Sequence, residues 1–155
     1  MTLKRLAVLP LRIGVTWCRA LASPVTAGAS VLCLNDRGQL LLVRPRFATG
    51  WMFPGGAVGR REPFVHAARR ELIEESGHSG AGELTLFGMY VRRSAGVTNH
   101  IALFQLEGGE IRFRPGFEIA DAGWFDLEAL PPDTQPAVRR RLAELAGKVP
   151  RSHYW

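Results

Sequence analysis

At 155 residues the chain has the length of one domain, long enough to bury a sizeable core without staples. Apolar and charged residues make up 46% and 22% of it, as in an ordinary globular protein, and the formal charge of +6 draws polyanions such as nucleotides, nucleic acid or acidic lipid without choosing among them. The only cysteines, Cys18 and Cys33, are too few and too far apart for a disulfide framework or a cysteine-built zinc site, which fits a reducing, cytoplasmic setting.

The first 35 residues carry no acid. Leu6, Leu9, Ile13, Trp17 and Leu21 recur at helical spacing, and Arg5, Arg12 and Arg19 fall near one flank of that helix. Three readings stand side by side: a helix packed on the domain, a basic amphipathic segment that touches a membrane surface or targets the chain, and a cleaved signal ending at Ala20-Leu21-Ala22. Arg12 and Arg19 interrupt the apolar run and count against a signal or a membrane span, while Pro10 and Gly14 weaken a continuous helix. The chain thus divides into a basic N-terminal segment, 1–24, and one domain, 25–155.

After Pro24 the pattern turns to strands. Ala29 to Asn35 and Gln39 to Val43 are apolar runs around the turn signal Asp36-Arg37-Gly38 and read as a hairpin. A loop with aromatics, Phe47 to Phe53, leads into Pro54-Gly55-Gly56. Pro63 to Ser76 reads as a helix, with Pro63 suited to its first turn and Gly77 to its stop. Leu84 to Arg92 and His100 to Leu106 are further strands, Gly108-Gly109 turns the chain, and Ile111 to Arg114 returns it. Trp124-Phe125 is a short strand, Leu127 to Leu130 one helical turn, and Pro136 to Gly147 a last helix with Val138, Leu142 and Leu145 at core spacing. Strands around a central helix, with a second helix at the end, predict an α/β (α+β) domain with a mixed sheet between helices.

Glycines and acids stand at fixed offsets from Gly55 to Gly77: Gly55, Gly56, Glu62, Arg70, Glu71, Leu72, Glu74, Glu75 and Gly77. At about 100° per residue, Glu71, Glu74 and Glu75 fall within about 100° of one another on the helix. They border the apolar stripe of Phe64, Ala68 and Leu72, whereas His66, Arg69 and Arg70 project elsewhere. Acids crowded near a low-dielectric surface repel one another unless a cation compensates, and hard oxygen ligands favour Mg2+ or Mn2+. Gly55-Gly56 lets backbone approach a metal or a phosphate closely. A lone E-x-x-E-E is more often a solvated helix face; the joint spacing is what points to chemistry.

This segment resembles the Nudix box of Nudix hydrolases. Leu41 to Arg44 with Trp51 to Gly56 is similar to the family's lead-in, and Glu118 to Pro131 to its later strand and turn. The resemblance implies an α/β/α sandwich around a mixed β-sheet and metal-dependent hydrolysis of a nucleoside diphosphate linked to another group, such as ADP-ribose, another nucleotide sugar or a nucleoside triphosphate. It implies Gly55, Glu71, Glu74 and Glu75 as ligands for Mg2+ or Mn2+, Glu71 and Glu118 as candidate bases, Arg70 as the residue that orients Glu71, and Glu62 and Gly56 as support. His78 stands where the family usually has an aliphatic residue, which bears on packing at the helix end.

For the substrate, Arg44, Arg46, Arg92, Arg93, Arg112 and Arg114 are candidate phosphate contacts, and Phe47, Trp51, Tyr90 or Phe104 could stack on a base; Arg44, Arg46 and Trp51 are singled out. Asn99 and His100 are weaker candidates for the cleft, and the aromatic tail Ser152 to Trp155 is expected to dock on its own domain or on a dimer mate. The expected partner is a small nucleotide. Two other functions remain open: a catalytically silent Nudix-fold nucleotide-binding or regulatory module, and an RNA 5′-end pyrophosphohydrolase. The charge permits RNA, but there is no aromatic-basic RNA motif and no long basic tail.

Overall fold

The computed structural model describes residues 24–155. The amphipathic N-terminal segment and Cys18 therefore lie outside the described residues. Among the described residues no helix is long and apolar enough to cross a membrane.

The central strand is β1, Val25–Leu34. It runs parallel to β6, Val97–Glu107, over its whole length, from Val25↔Thr98 to Leu34↔Glu107. A strand with sheet on both edges and layers on both faces needs apolar residues on both faces, which is why Val31 to Leu34 reads as a continuous apolar run rather than an alternating one. The other edge of β1 is shared. Leu34 pairs with Leu40 at the start of β2, Leu40–Pro45, and Gly28 to Ser30 pair with β3, Gly55–Ala57. Strand β5, Thr85–Ser94, flanks β6, and β8, Ile119–Phe125, flanks β2, so the sheet order is β5-β6-β1-β2-β8 with β3 beside β1.

Alternate residues of the strands feed two cores. Helix α1, Phe64–Ser76, buries Ala67, Ala68 and Leu72 against Ala29, Val31, Cys33 and Ala102. On the opposite face Leu32, Leu40, Leu42 and Leu103 meet Val138 of helix α2, Pro136–Leu145. This is the expected α/β/α sandwich. Gly77 ends α1 at φ 64°, donating its N–H to Ile73 O at 2.8 Å. A Cβ there would lie 2.4 Å from Arg112 O, so both backbone conformation and space require glycine.

Four expectations need correction. Strands β5 and β6 extend beyond the runs legible in sequence, to a tight turn at Ala95-Gly96 with φ of 48° and 79°, the paired positive values that a two-residue hairpin demands. The return after Gly108-Gly109 is only the two-residue β7, Glu110–Ile111, and it pairs with β4, His78–Ser79, in a separate two-stranded sheet. Leu127 to Leu130 is a turn closed by Ala129 N–H to Asp126 O at 3.0 Å, not a helical turn. In α2 the buried residues beside Ala137 and Val138 are Arg141 and Glu144, while Leu142 and Leu145 are only partly covered. The cause is the segment 151–155, which lies against that face of the helix: Arg141 Nη1 donates to Tyr154 O at 3.0 Å and Ser152 N–H to Glu144 Oε1 at 2.9 Å.

Candidate active site

The glycine strand β3 and helix α1 are clamped together by the acids between them. Gly55 N–H donates to Glu75 Oε2 at 2.7 Å. Gly56 lies against Glu71: a Cβ built there would sit 2.6 Å from the Glu71 carboxylate, so only glycine leaves that carboxylate in place. A Cβ on Gly55 would meet Ala29 O at 2.4 Å, which places β3 tight against the central strand. The motif glycines therefore serve as walls of the acidic site rather than as a simple turn.

Arg70 holds the remaining acids. Its Nε and Nη2 donate to the two oxygens of Glu62 at 2.9 and 3.1 Å, its Nη1 to Glu71 Oε1 at 2.6 Å and Glu74 Oε2 at 3.2 Å, and its Nη2 also to Ala57 O at 3.1 Å. The helical projection that points Arg70 away from the acids is thus corrected: its long side chain folds back across them. The Arg70 hydrogen bond, with a second from Gly59 N–H, holds the Glu62 carboxyl down at about 2, and the same acids raise the Arg70 guanidinium.

Glu75 has the opposite environment. Burial pushes its carboxyl up to about 7; the Gly55 N–H opposes this, and the charges of Glu71, Glu118 and Glu74 add to it. Glu118 comes from the loop before β8, far from the helix in sequence, and its influence on Glu75 places its charge by the same site. Among the described residues no three Asp, Glu, His or Cys groups already converge as a cage, because Arg70 occupies Glu71 and Glu74 and Glu75 turns to Gly55. The donor chemistry nonetheless fits a hard divalent cation. A part-buried carboxyl pushed up to about 7, with the charges of three other acids adding to the shift, is in the condition that a nearby cation relieves.

The substrate candidates separate. Arg44 pairs with Asp133 at 3.4 Å and is half exposed. Arg46 donates its N–H to Glu118 O at 2.8 Å and its Nε to Gly116 O at 2.9 Å, so it stands beside the Glu118 loop. Phe47 stays exposed beside Phe117, with ring centroids 5.2 Å apart. Trp51 is a core residue, 8% exposed and edge-on to Phe125 at 4.7 Å, which leaves no open ring face for a base. Tyr90 and Phe104 are likewise core. His78 is buried, with Nε2 3.1 Å from Gly108 O and 3.7 Å from Cys33 Sγ, so it fills the helix end as expected of a packing residue.

Beside the glycine strand, on the face away from α1, lies a cavity of about 350 Å3. Gly55 and Gly56 form one side of it, and Met52, Arg92, Asn99 and Trp155 contribute to the rest. Asn99 lines it, whereas His100, on the other face of the strand, does not. The aromatic tail docks on its own domain, and this brings Trp155 to the same cavity as Asn99. Gly28, a glycine inside a strand, was the available signal: a Cβ there would lie 3.3 Å from Gly56 O and 3.4 Å from Asn99 Nδ2, beside the same cavity.

Known proteins share this fold and the motif that runs through it. The NUDIX domain model matches residues 24–146. A candidate 8-oxo-dGTP diphosphatase of Bacillus subtilis (strain 168) is 32% identical over 117 residues, 76% of this chain and 77% of that protein. A candidate mutator protein, MutT4, of Mycobacterium tuberculosis (strain CDC 1551 / Oshkosh) is 29% identical over 121 residues, 75% of this chain but only 45% of that protein. Among solved structures, a MutT NUDIX hydrolase from Burkholderia pseudomallei superimposes with a TM-score of 0.70 at 26% identity, covering 79% of this chain and 99% of that one. The match over most of the domain, together with glycines and acids set as the motif requires, makes the chain a member of the Nudix hydrolase family, whose enzymes cleave pyrophosphate bonds.

Proposed function

We propose that the chain hydrolyses the pyrophosphate linkage of a small nucleotide, with a nucleoside triphosphate as the leading substrate and a nucleotide sugar such as ADP-ribose as the next. The name of the Bacillus subtilis relative favours the triphosphate. The observation that carries the reading is the clamp of the acidic helix on the glycine strand, in which Gly55 N–H holds Glu75 and Arg70 gathers Glu62, Glu71 and Glu74 beside it.

Glu71, Glu74 and Glu75, with the Gly55 carbonyl, would hold Mg2+ or Mn2+. Such an ion supplies charge neutralisation on the phosphate oxygens and eases formation of the attacking hydroxide. Arg70 sets the Glu71 carboxylate through its 2.6 Å contact and is itself fixed by Glu62. Glu118, exposed on its loop and close enough for its charge to act on Glu75, would accept the proton of the attacking water, the task Glu71 could also perform when it is not a ligand. Arg46, whose backbone bonds to Glu118 O, would meet the phosphate chain.

The test is release of phosphate or nucleoside monophosphate from nucleoside triphosphates and nucleotide sugars, with Mg2+ and with Mn2+, beside Glu75→Gln. Turnover of one class, reduced at least about a hundredfold in the folded variant, supports the reading. Wild-type levels of turnover in Glu75→Gln sink the metal-site assignment, and nucleotide binding without turnover points to a binding module.

A further inference from the structure

The segment after α2 returns across the domain and is fixed there by buried polar groups. Val91 N–H donates to His153 O at 2.8 Å and Trp155 N–H to Val91 O at 3.1 Å, so the segment runs as a short parallel bridge along the edge strand β5. Beneath it, Glu144 accepts from Arg141 Nη2 at 2.6 Å and from Ser152 N–H at 2.9 Å on one oxygen, and from Tyr90 OH at 2.9 Å on the other. The Arg141 guanidinium lies over the Tyr90 ring, 4.1 Å from its centroid. The Trp155 ring packs against Tyr90 and Phe53 at 5.7 and 6.2 Å, and from there it forms part of the cavity wall beside the glycine strand.

A core that buries an ion pair to hold down five residues positions Trp155 narrowly. Across the cavity, Asn99 Oδ1 is buried without a partner. An unmatched amide on a cavity wall is costly unless a ligand completes it, and an amide offers a donor and an acceptor side by side, as the edge of a nucleobase does. Arg92 adds a cation to the same lining, and the glycine strand joins the cavity to the acids.

We propose that this cavity receives the base of the nucleotide, with Trp155 as an aromatic wall and Asn99 as the group that pairs with the base edge, so that both are specificity-determining residues. This rests on the pyrophosphohydrolase reading for its substrate class. Neither residue touches the acids, so their contribution is to affinity and base choice rather than to the bond cleaved.

The experiment measures kcat and KM for the four nucleoside triphosphates and for inorganic tripolyphosphate, and the affinity for nucleoside monophosphates without metal, in the wild type, Asn99→Ala, Trp155→Ala and Trp155→Phe. For the preferred nucleotide, Asn99→Ala and Trp155→Ala should each raise KM roughly tenfold, within the range for loss of a base–aromatic or base-edge contact, with kcat changed less than about threefold. Trp155→Phe, which keeps an aromatic wall and the docked segment, should retain most of the affinity. Tripolyphosphate, which has no base, should be turned over equally by all four proteins. KM and base preference unchanged in both alanine variants, with nucleotides still hydrolysed, would overturn the base site and leave the hydrolase reading standing. Monophosphate binding that depends on Asn99 and Trp155 in a protein without turnover would uphold the base site and reject the hydrolase reading. Equal losses on tripolyphosphate would reassign both residues to general structure.

Discussion

Glu144→Gln perturbs the molecule where its stability is most exposed to a single atom. The side chains of Arg141 and Glu144 are 0% and 1% exposed, and Glu144 is the only ion-pair partner of Arg141 among the described residues. Glutamine keeps the shape but removes the charge, leaving a buried guanidinium uncompensated. It also turns one of the two acceptor oxygens that serve Arg141, Ser152 and Tyr90 into an amide donor. Breaking a buried pair from one side costs about 3–5 kcal/mol, and the glutamine retains part of the hydrogen bonding, which sets the expectation near the lower end, about 3 kcal/mol. Against a total stability of about 5–15 kcal/mol that is a large fraction. At about 2–4 °C per kcal/mol for a domain of this size, Tm should fall by about 6–12 °C. Urea unfolding at 25 °C, followed by tryptophan fluorescence, measures the change directly. The double variant Arg141→Met/Glu144→Leu should recover part of the loss, since no charge is then stranded although Tyr90 OH and Ser152 N–H lose their acceptor. A loss below about 1 kcal/mol in Glu144→Gln, with cooperative unfolding retained, would refute the account of the buried network.

Two further predictions concern the acids. The native Glu75 carboxyl is raised from its ordinary 4.5 to about 7, so between these values the folded protein binds more protons than the unfolded one. In metal-free protein this group therefore contributes stability below about pH 4.5 that is lost as pH rises through about 7, by at most about 3 kcal/mol. Glu75→Gln should abolish that slope and be the more stable protein at pH 8 without metal, whereas Mg2+ should flatten the wild-type slope; thermal melts from pH 5 to 8 read both, and parallel slopes in the two proteins would contradict the assignment. Gly56→Ala should lower kcat at least about tenfold with Tm changed only a few degrees, because the new methyl meets a movable carboxylate rather than backbone; unchanged turnover would show that the position of Glu71 is not critical.

The parts of this protein written within short stretches of chain were legible from sequence. Three acids within five residues of helix share a face because of the 3.6-residue turn, and a glycine pair before the helix brings a backbone wall to them; neither depends on distant partners. Gly77 marked the helix end because only its backbone conformation allows the stop. What the tertiary structure alone decided are the encounters of segments far apart in sequence. The Glu118 charge acts on Glu75 because β8 pairs with β2 and carries its preceding loop there, and β7 pairs with β4 rather than with β6, whose edges are taken by β1 and β5. Arg141 and Glu144 look like exposed charges at helical spacing, yet they are buried because residues 151–155 fold over them. Trp155 and Asn99, more than fifty residues apart, share a cavity wall by the same long-range packing. Periodicity records which face of an element is covered by its own sheet; it carries no record of a tail that returns to cover a charged face, because the energy of that burial is shared between two distant segments and neither shows it alone.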